Sequence, residues 1–106
     1  MALVRKAFLM ILKPGYRAEY EKRHNPIWPE LAGLLSDHGV KKYSIFLDPR
    51  TNYLFGYVEV ESEERWDQIA SDPVCRRWWT HMRELMETNE DASPLAFPLD
   101  EVFHLE

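Results

Sequence analysis

Pro26 and Pro29 fall inside a stretch that otherwise has the spacing of one long helix. Upstream, Ala18, Tyr20 and His24 keep helical intervals. Downstream, Ile27, Trp28, Leu31, Leu34 and Leu35 resume them on a wide apolar face. A proline within a helix removes a backbone hydrogen bond and collides with the preceding turn, at a cost of roughly 3 kcal/mol. The chain therefore cannot run straight through. A restart is cheaper, with Asn25 as N-cap and Pro26 as the first helical residue, where a missing N–H is no loss. The residue before a proline is also biased away from helical geometry, which suits Asn25 as a break. The expectation is a break at Asn25 with His24 on its upstream side. A titratable imidazole at a backbone irregularity, flanked by Tyr20 and Trp28, is the first place to look for chemistry.

The remaining segments fix the fold class. Leu3 to Lys13 reads as a strand, apolar at every position from Ala7 to Leu12 and hence buried on both faces. Pro14-Gly15 ends it. The interrupted helical region runs from Tyr16 to about Asp37, with Gly39 as its C-terminal cap and His38 beside it. Lys41 to Asp48 and Tyr53 to Glu61 are two strands. The short turn Asp48-Pro49-Arg50-Thr51-Asn52 makes them antiparallel neighbours. Tyr43, Ile45 and Leu47 share one face of the first of these, Ser44 and Phe46 the other. Ser62 caps a helix carrying Trp66 and Ile69. Asp72-Pro73 restarts it, and its second part runs to about Glu87 with Val74, Trp78, Met82, Leu85 and Met86 as the apolar stripe. Residues 88–98 read as a polar loop, and Asp100 to Leu105 as a short final strand.

The order β-α-β-β-α-β is the ferredoxin-like pattern of the α+β class: one domain over residues 1–106, an antiparallel sheet with both helices on one face. The opposite face of such a sheet is normally polar. Here all three long strands carry apolar or aromatic residues on both faces. Burying each large side chain is worth roughly 1.5–3 kcal/mol. The expectation is a symmetric homodimer with sheets face to face, forming a dimeric α+β barrel.

Composition excludes several classes. The net charge of −5 and the absence of a long basic run argue against nucleic acid as partner. The run Ala7–Leu12 is too short to span a membrane and lacks a signal-peptide cleavage pattern. A lone Cys75 points to a reducing, cytoplasmic setting and to a small apolar role rather than a nucleophile. No His, Cys or carboxylate pair has ligand spacing, so no metal is expected. The four scattered glycines form no phosphate loop.

Among chemistry-bearing residues, His24 can exchange protons near neutral pH or make a structural bond. Tyr20 lies one turn earlier on the same side. Trp78 and Trp79 point about 100 degrees apart on a helix. They serve either as core and rim packing or as a platform for the C–H face of a sugar, the indole N–H reaching a hydroxyl. Tyr43 could add a hydroxyl to the same pocket. Glu30, near the break, is either a second proton carrier or a helix-start carboxylate. His38, His81 and His104 read as cap, solvent-side and tail residues.

Several runs together resemble the L-rhamnose mutarotase family: Arg23-His24-Asn25-Pro26-Ile27-Trp28-Pro29-Glu30-Leu31, Tyr43-Ser44-Ile45-Phe46-Leu47-Asp48, Glu59-Val60-Glu61-Ser62-Glu63-Glu64-Arg65-Trp66, Val74-Cys75-Arg76-Arg77-Trp78-Trp79 and Glu101-Val102-Phe103-His104-Leu105. The resemblance spans nearly the whole chain. It implies a dimeric α+β barrel in the cytoplasm that interconverts the α and β anomers of L-rhamnose without a cofactor. The family's proton-donating histidine matches His24, and its sugar-contacting residues match Tyr20, Tyr43, Trp78 and Trp79. Two other classes share this fold type and stay open: a haem-handling or oxygenase-type protein with His24 as axial ligand, and a sugar-binding module without turnover.

Overall fold

The computed structural model describes residues 2–106. Four strands form one antiparallel sheet in the order β2-β3-β1-β4. β1 is Val4–Ile11, β2 Val40–Asp48, β3 Tyr53–Val60 and β4 Phe97–Leu99. The helices are α1 (Arg17–His24), α2 (Pro29–Asp37), α3 (Glu63–Ile69) and α4 (Pro73–Met82). This is the ferredoxin-like architecture that the alternation of elements implies.

The core lies between the sheet and the helices. Met10 and Leu12 of the first strand segment and Leu54 of β3 pack with Leu31 and Leu34 of α2, Ile69 of α3 and Trp78 and Met82 of α4. On β3, Leu54, Gly56, Val58 and Val60 are buried while their neighbours are not, the period of a strand with one face on a core. Tyr43, Ile45 and Leu47 pair with Val58, Gly56 and Leu54, so they share this inner face. The outer face carries Leu9, Phe55 and Phe46 in one cross-strand row, with Phe97 at the β4 edge. Phe46 is 65% exposed and Phe97 48%. The apolar outer face expected from the sequence is present.

The helix starts follow their caps. The Ser62 hydroxyl accepts from the Arg65 N–H at 3.2 Å, and Asp72 accepts from the Val74 N–H at 2.9 Å, with Pro73 in the first turn of α4. Gly39 follows α2 with φ +82°, and a Cβ there would meet the Glu61 carboxylate at 2.8 Å.

Three boundaries differ from the sequence expectation. The break at Asn25 is present, but α2 does not restart at Pro26. It begins at Pro29, with Trp28 at the N-cap position and no side-chain cap bond. The reason is the second proline: Trp28 precedes Pro29 and is held at φ −54°, ψ 129°, outside the helical region. Residues 25–28 thus form a linker, in which the Asn25–Pro26 peptide is cis. Second, α4 stops at Met82 and continues as a 3-10 turn, Arg83–Leu85. Leu12 then bridges Met86, and the Glu87 N–H donates to the Ile11 carbonyl at 3.0 Å, drawing the chain onto the end of β1. Third, the last strand is Phe97–Leu99, not Asp100–Leu105. Pro98 is tolerated because β4 is an edge. Beyond it, Val102, Phe103 and Leu105 are 95%, 77% and 80% exposed, with nothing in the protomer to pack on.

Candidate active site

Proline placement builds the site's first wall. At the break before Pro26 the Asn25 N–H donates to the Lys22 carbonyl at 3.3 Å instead of continuing the ladder to Glu21, and side chains bond the carbonyls one turn back. The Asn25 amide donates to the Glu21 carbonyl at 2.8 Å. His24 Nδ1 lies 2.8 Å from the Tyr20 carbonyl oxygen. A carbonyl only accepts, so Nδ1 carries the hydrogen in this bond. In the neutral ring Nε2 is then the free base. The imidazole also stacks on the Tyr20 ring, with centroids 4.3 Å apart and planes inclined by 29°. Partial burial shifts its pKa below the usual 6.5, outweighing the opposing effect of the Tyr20 carbonyl. Tyr20 is only 8% exposed, and burial pushes its phenol upward, so the hydroxyl stays protonated.

The second wall is α4. The Trp78 indole meets His24 edge-on, centroids 5.2 Å apart at 90°. Behind it, Trp28 packs edge-on against Trp78 at 5.1 Å, and His81 lies 5.2 Å from Trp28. Trp79, half-buried and about 100 degrees round the helix from Trp78, also lines the cleft. Arg76 lies over its ring at 5.2 Å and is tied to the Ala70 carbonyl and to Asp91.

The sheet supplies the third wall. Tyr43 stands on the inner face of β2, with Phe8 edge-on at 6.2 Å and Trp66 of α3 at 6.0 Å. Gly56, paired with Phe8 across β3 and β1, makes this possible. A Cβ at that position would stand 2.3 Å from the Phe8 ring. Tyr43 keeps 39% of its surface exposed, yet its phenol is shifted strongly upward by desolvation. Its phenol, like that of Tyr20, remains a hydrogen-bond donor. Cys75 lines the same space, and burial pushes its thiol up to about 11, an inert group at neutral pH.

The structure thus brings His24, Tyr20, Tyr43, Trp78 and Trp79 to one open cleft between the sheet and the helices. Glu30 is not among its walls: the carboxylate pairs with Arg77 at 3.2 Å on the exposed surface. Trp28 and His81 stand behind Trp78 rather than in the cleft. Two residues that pattern reading placed in the core, Phe8 and Trp66, do line it. Gly56 within a strand was the available signal, since such a glycine marks a close approach. Among the described residues no group of three or more His, Cys, Asp and Glu could hold a metal ion, and no helix is long and apolar enough to cross a membrane.

Comparison with known proteins places this cleft in context. A family profile described as L-rhamnose mutarotase matches residues 5–105. An L-rhamnose mutarotase of Pectobacterium atrosepticum is 57% identical over 104 residues, covering 98% of this chain and 100% of that protein. The crystal structure of an L-rhamnose mutarotase from Formosa agariphila superposes with TM-score 0.89 at 42% identity, covering 97% and 99% of the two chains. A cofactor-independent oxygenase from Streptomyces nogalater, 12% identical with TM-score 0.67 over 99% and 98%, shares the fold alone.

Proposed function

From the premise that this chain belongs to the L-rhamnose mutarotase family, we propose that it is a carbohydrate isomerase interconverting the α and β anomers of L-rhamnose in this cleft. The observation that carries the mechanism is the Nδ1 bond of His24 to the Tyr20 carbonyl, which leaves Nε2 to the substrate.

Ring opening breaks the bond between C1 and the ring oxygen and makes C1–O1 a carbonyl. The O1 proton must leave and the ring oxygen must gain one. Both oxygens are bonded to C1, so one Nε2 can serve both in turn. Neutral His24 accepts the O1 proton, becomes imidazolium, and delivers that proton to the ring oxygen as the bond opens. Rotation about C1–C2 presents the other carbonyl face, and the same steps in reverse close the ring. General acid–base help of this kind gives roughly 10²–10⁴-fold. The reaction already proceeds in water, so that order suffices. Trp78 and Trp79 hold the apolar side of the sugar, including its methyl group, and the hydroxyls of Tyr20 and Tyr43 donate to its oxygens. In this reading the second proton carrier sought near Glu30 is not required.

The working unit is a homodimer in the cytoplasm. The support is the outer sheet face, where Phe46, Tyr53, Phe97 and Leu99 are all exposed. A second copy placed sheet to sheet would bury them. The test of the activity is anomer exchange of L-rhamnose by saturation-transfer NMR with wild type and His24→Ala. Wild type accelerates exchange, and the variant loses roughly 10²–10⁴-fold. Equal acceleration by both would move the proton transfers to another group, and none by wild type would end the reading.

A further inference from the structure

The helix bearing His24 is packed on the core through Tyr20 and is hydrogen-bonded to the rest of the protein through one side chain, Arg23. α1 has eight residues, too few for a stable helix by itself. Among the described residues, every side-chain hydrogen bond from α1 to another element comes from Arg23. Its guanidinium makes three at once. Nε donates to Glu19 at 2.7 Å, Nη1 to the His81 carbonyl at 2.5 Å, and Nη2 to Glu84 at 2.6 Å. The Arg23 side chain is only 15% exposed. The His81 carbonyl belongs to the last turn of α4. One turn earlier on α4 is Trp78, the indole that meets the His24 imidazole edge-on.

We propose that Arg23 is a positioning residue for His24, a clamp that fixes the last turn of α1 on the last turn of α4 and so sets the imidazole against Trp78 and the sugar. A planar fork with donors in fixed directions can bridge two helices and a turn. The single ammonium of a lysine cannot satisfy all three acceptors. The two carboxylates are more exposed than the guanidinium, so the clamp's value lies in geometry more than in ion-pair strength. Misplacing a catalytic group by about 1 Å can cost ~10²-fold in rate. The sugar chemistry in this inference rests on the proposed mutarotase activity; the clamp itself does not.

The test uses the full-length protein with Arg23→Met, Arg23→Lys and Glu84→Gln, and reads kcat, KM and the ring protons of His24 by NMR without sugar. Arg23→Met should lower kcat about 10- to 100-fold with KM little changed. Arg23→Lys should recover part of that loss. The His24 ring-proton shifts, set by the Tyr20 and Trp78 ring currents, should move toward those of free imidazole. Glu84→Gln separates position from charge. The charged or titratable groups around the clamp and the cleft are Tyr20, Glu21 and Arg23 on α1, His81 and Glu84, which reach α1 through Arg23, and Tyr43 and Cys75 in the cleft. Removing a negative charge alone lowers the His24 pKa, whereas loosening the clamp rehydrates the ring and raises it toward 6.5. A rise is expected. A fall, or unchanged His24 shifts in a variant with reduced kcat, would overturn the clamp. So would an Arg23→Met protein with full kcat. If Arg23→Met does not fold, Glu84→Gln alone decides. Absence of anomer exchange in wild type would remove the proposed function while leaving the NMR readouts to decide the clamp.

Discussion

His24 is bound twice to one residue, Tyr20: its ring lies 4.3 Å from the tyrosine ring and its Nδ1 lies 2.8 Å from the tyrosine carbonyl oxygen. The stack restricts the plane and the hydrogen bond fixes the tautomer. In that state the neutral imidazole is a base at Nε2.

Activity should therefore follow the neutral form. Because burial lowers the His24 pKa below 6.5, kcat for anomer exchange should be level above pH 6.5 and fall on the acid side. Nitrogen-15 NMR should find the hydrogen on Nδ1 in the free protein. A hydrogen on Nε2 would contradict the assignment.

The two bonds to Tyr20 can be separated. Tyr20→Phe keeps the stack and the backbone carbonyl and should change stability by no more than about 1 kcal/mol. Its exchange rate should drop by about tenfold, the loss of one hydrogen bond to substrate. Tyr20→Ala also removes the stack and should cost about 3 kcal/mol of stability. Chemical denaturation and exchange kinetics on both variants distinguish the two roles.

Gly56 should be intolerant of the smallest addition. A methyl there displaces the Phe8 ring, which supports Tyr43. Gly56→Ala should lower stability by roughly 1–3 kcal/mol and raise KM. Combining it with Phe8→Leu should recover part of the stability. Thermal melts and substrate titration of both variants provide the check.

Stability should depend on pH through the same histidine. The unfolded imidazole takes a proton near pH 6.5, while the folded one resists until a lower pH. Below 6.5 the unfolded state binds more protons, so stability rises with pH through this window and is complete above it. His24→Gln should flatten the melting temperature between the folded pKa and 6.5. The lowered carboxyl pKa values of Asp48, Asp91 and Glu101 act only in more acidic solution, where their stabilising ionised forms are lost.

The outer sheet face should set the assembly state. Phe46 is 65% exposed in the protomer and contributes nothing to the inner core. Phe46→Asp should leave the circular dichroism spectrum unchanged and shift the sedimenting mass from dimer to monomer. A monomeric wild type would contradict the proposed assembly.

Element order, the helix caps at Ser62 and Asp72 and the apolar outer face were legible because each rests on local chemistry or on a period of two or 3.6. The restart at Pro29 was missed because the pre-proline restriction was applied to Asn25 and not to Trp28, where it applies equally. The final strand was misplaced because an edge strand of three residues, interrupted by Pro98, has too little pattern to announce itself. The walls of the site divide in the same way. His24 stood out by its place at a break. Phe8 and Trp66 were hidden because an aromatic lining a cleft and one filling a core look alike in sequence; for Phe8 the resolving fact is Gly56 opposite its ring. Glu30 was attractive by proximity in sequence, but its helix turns it toward Arg77 at the surface.

The edge-on contact of Trp78 with His24 also makes the protein its own optical indicator. An imidazolium quenches neighbouring indole emission far more than a neutral imidazole does. Protonation of His24 should therefore dim the fluorescence of Trp78 without any added label. His81 also lies near this indole, at 5.6 Å, so a His81→Gln background leaves His24 as the imidazole beside Trp78, whose share of the emission a Trp78→Phe control identifies among the four tryptophans. In that background, a simple titration of intrinsic emission would report the charge of His24, and sugar binding beside the imidazole would show as a displacement of the curve.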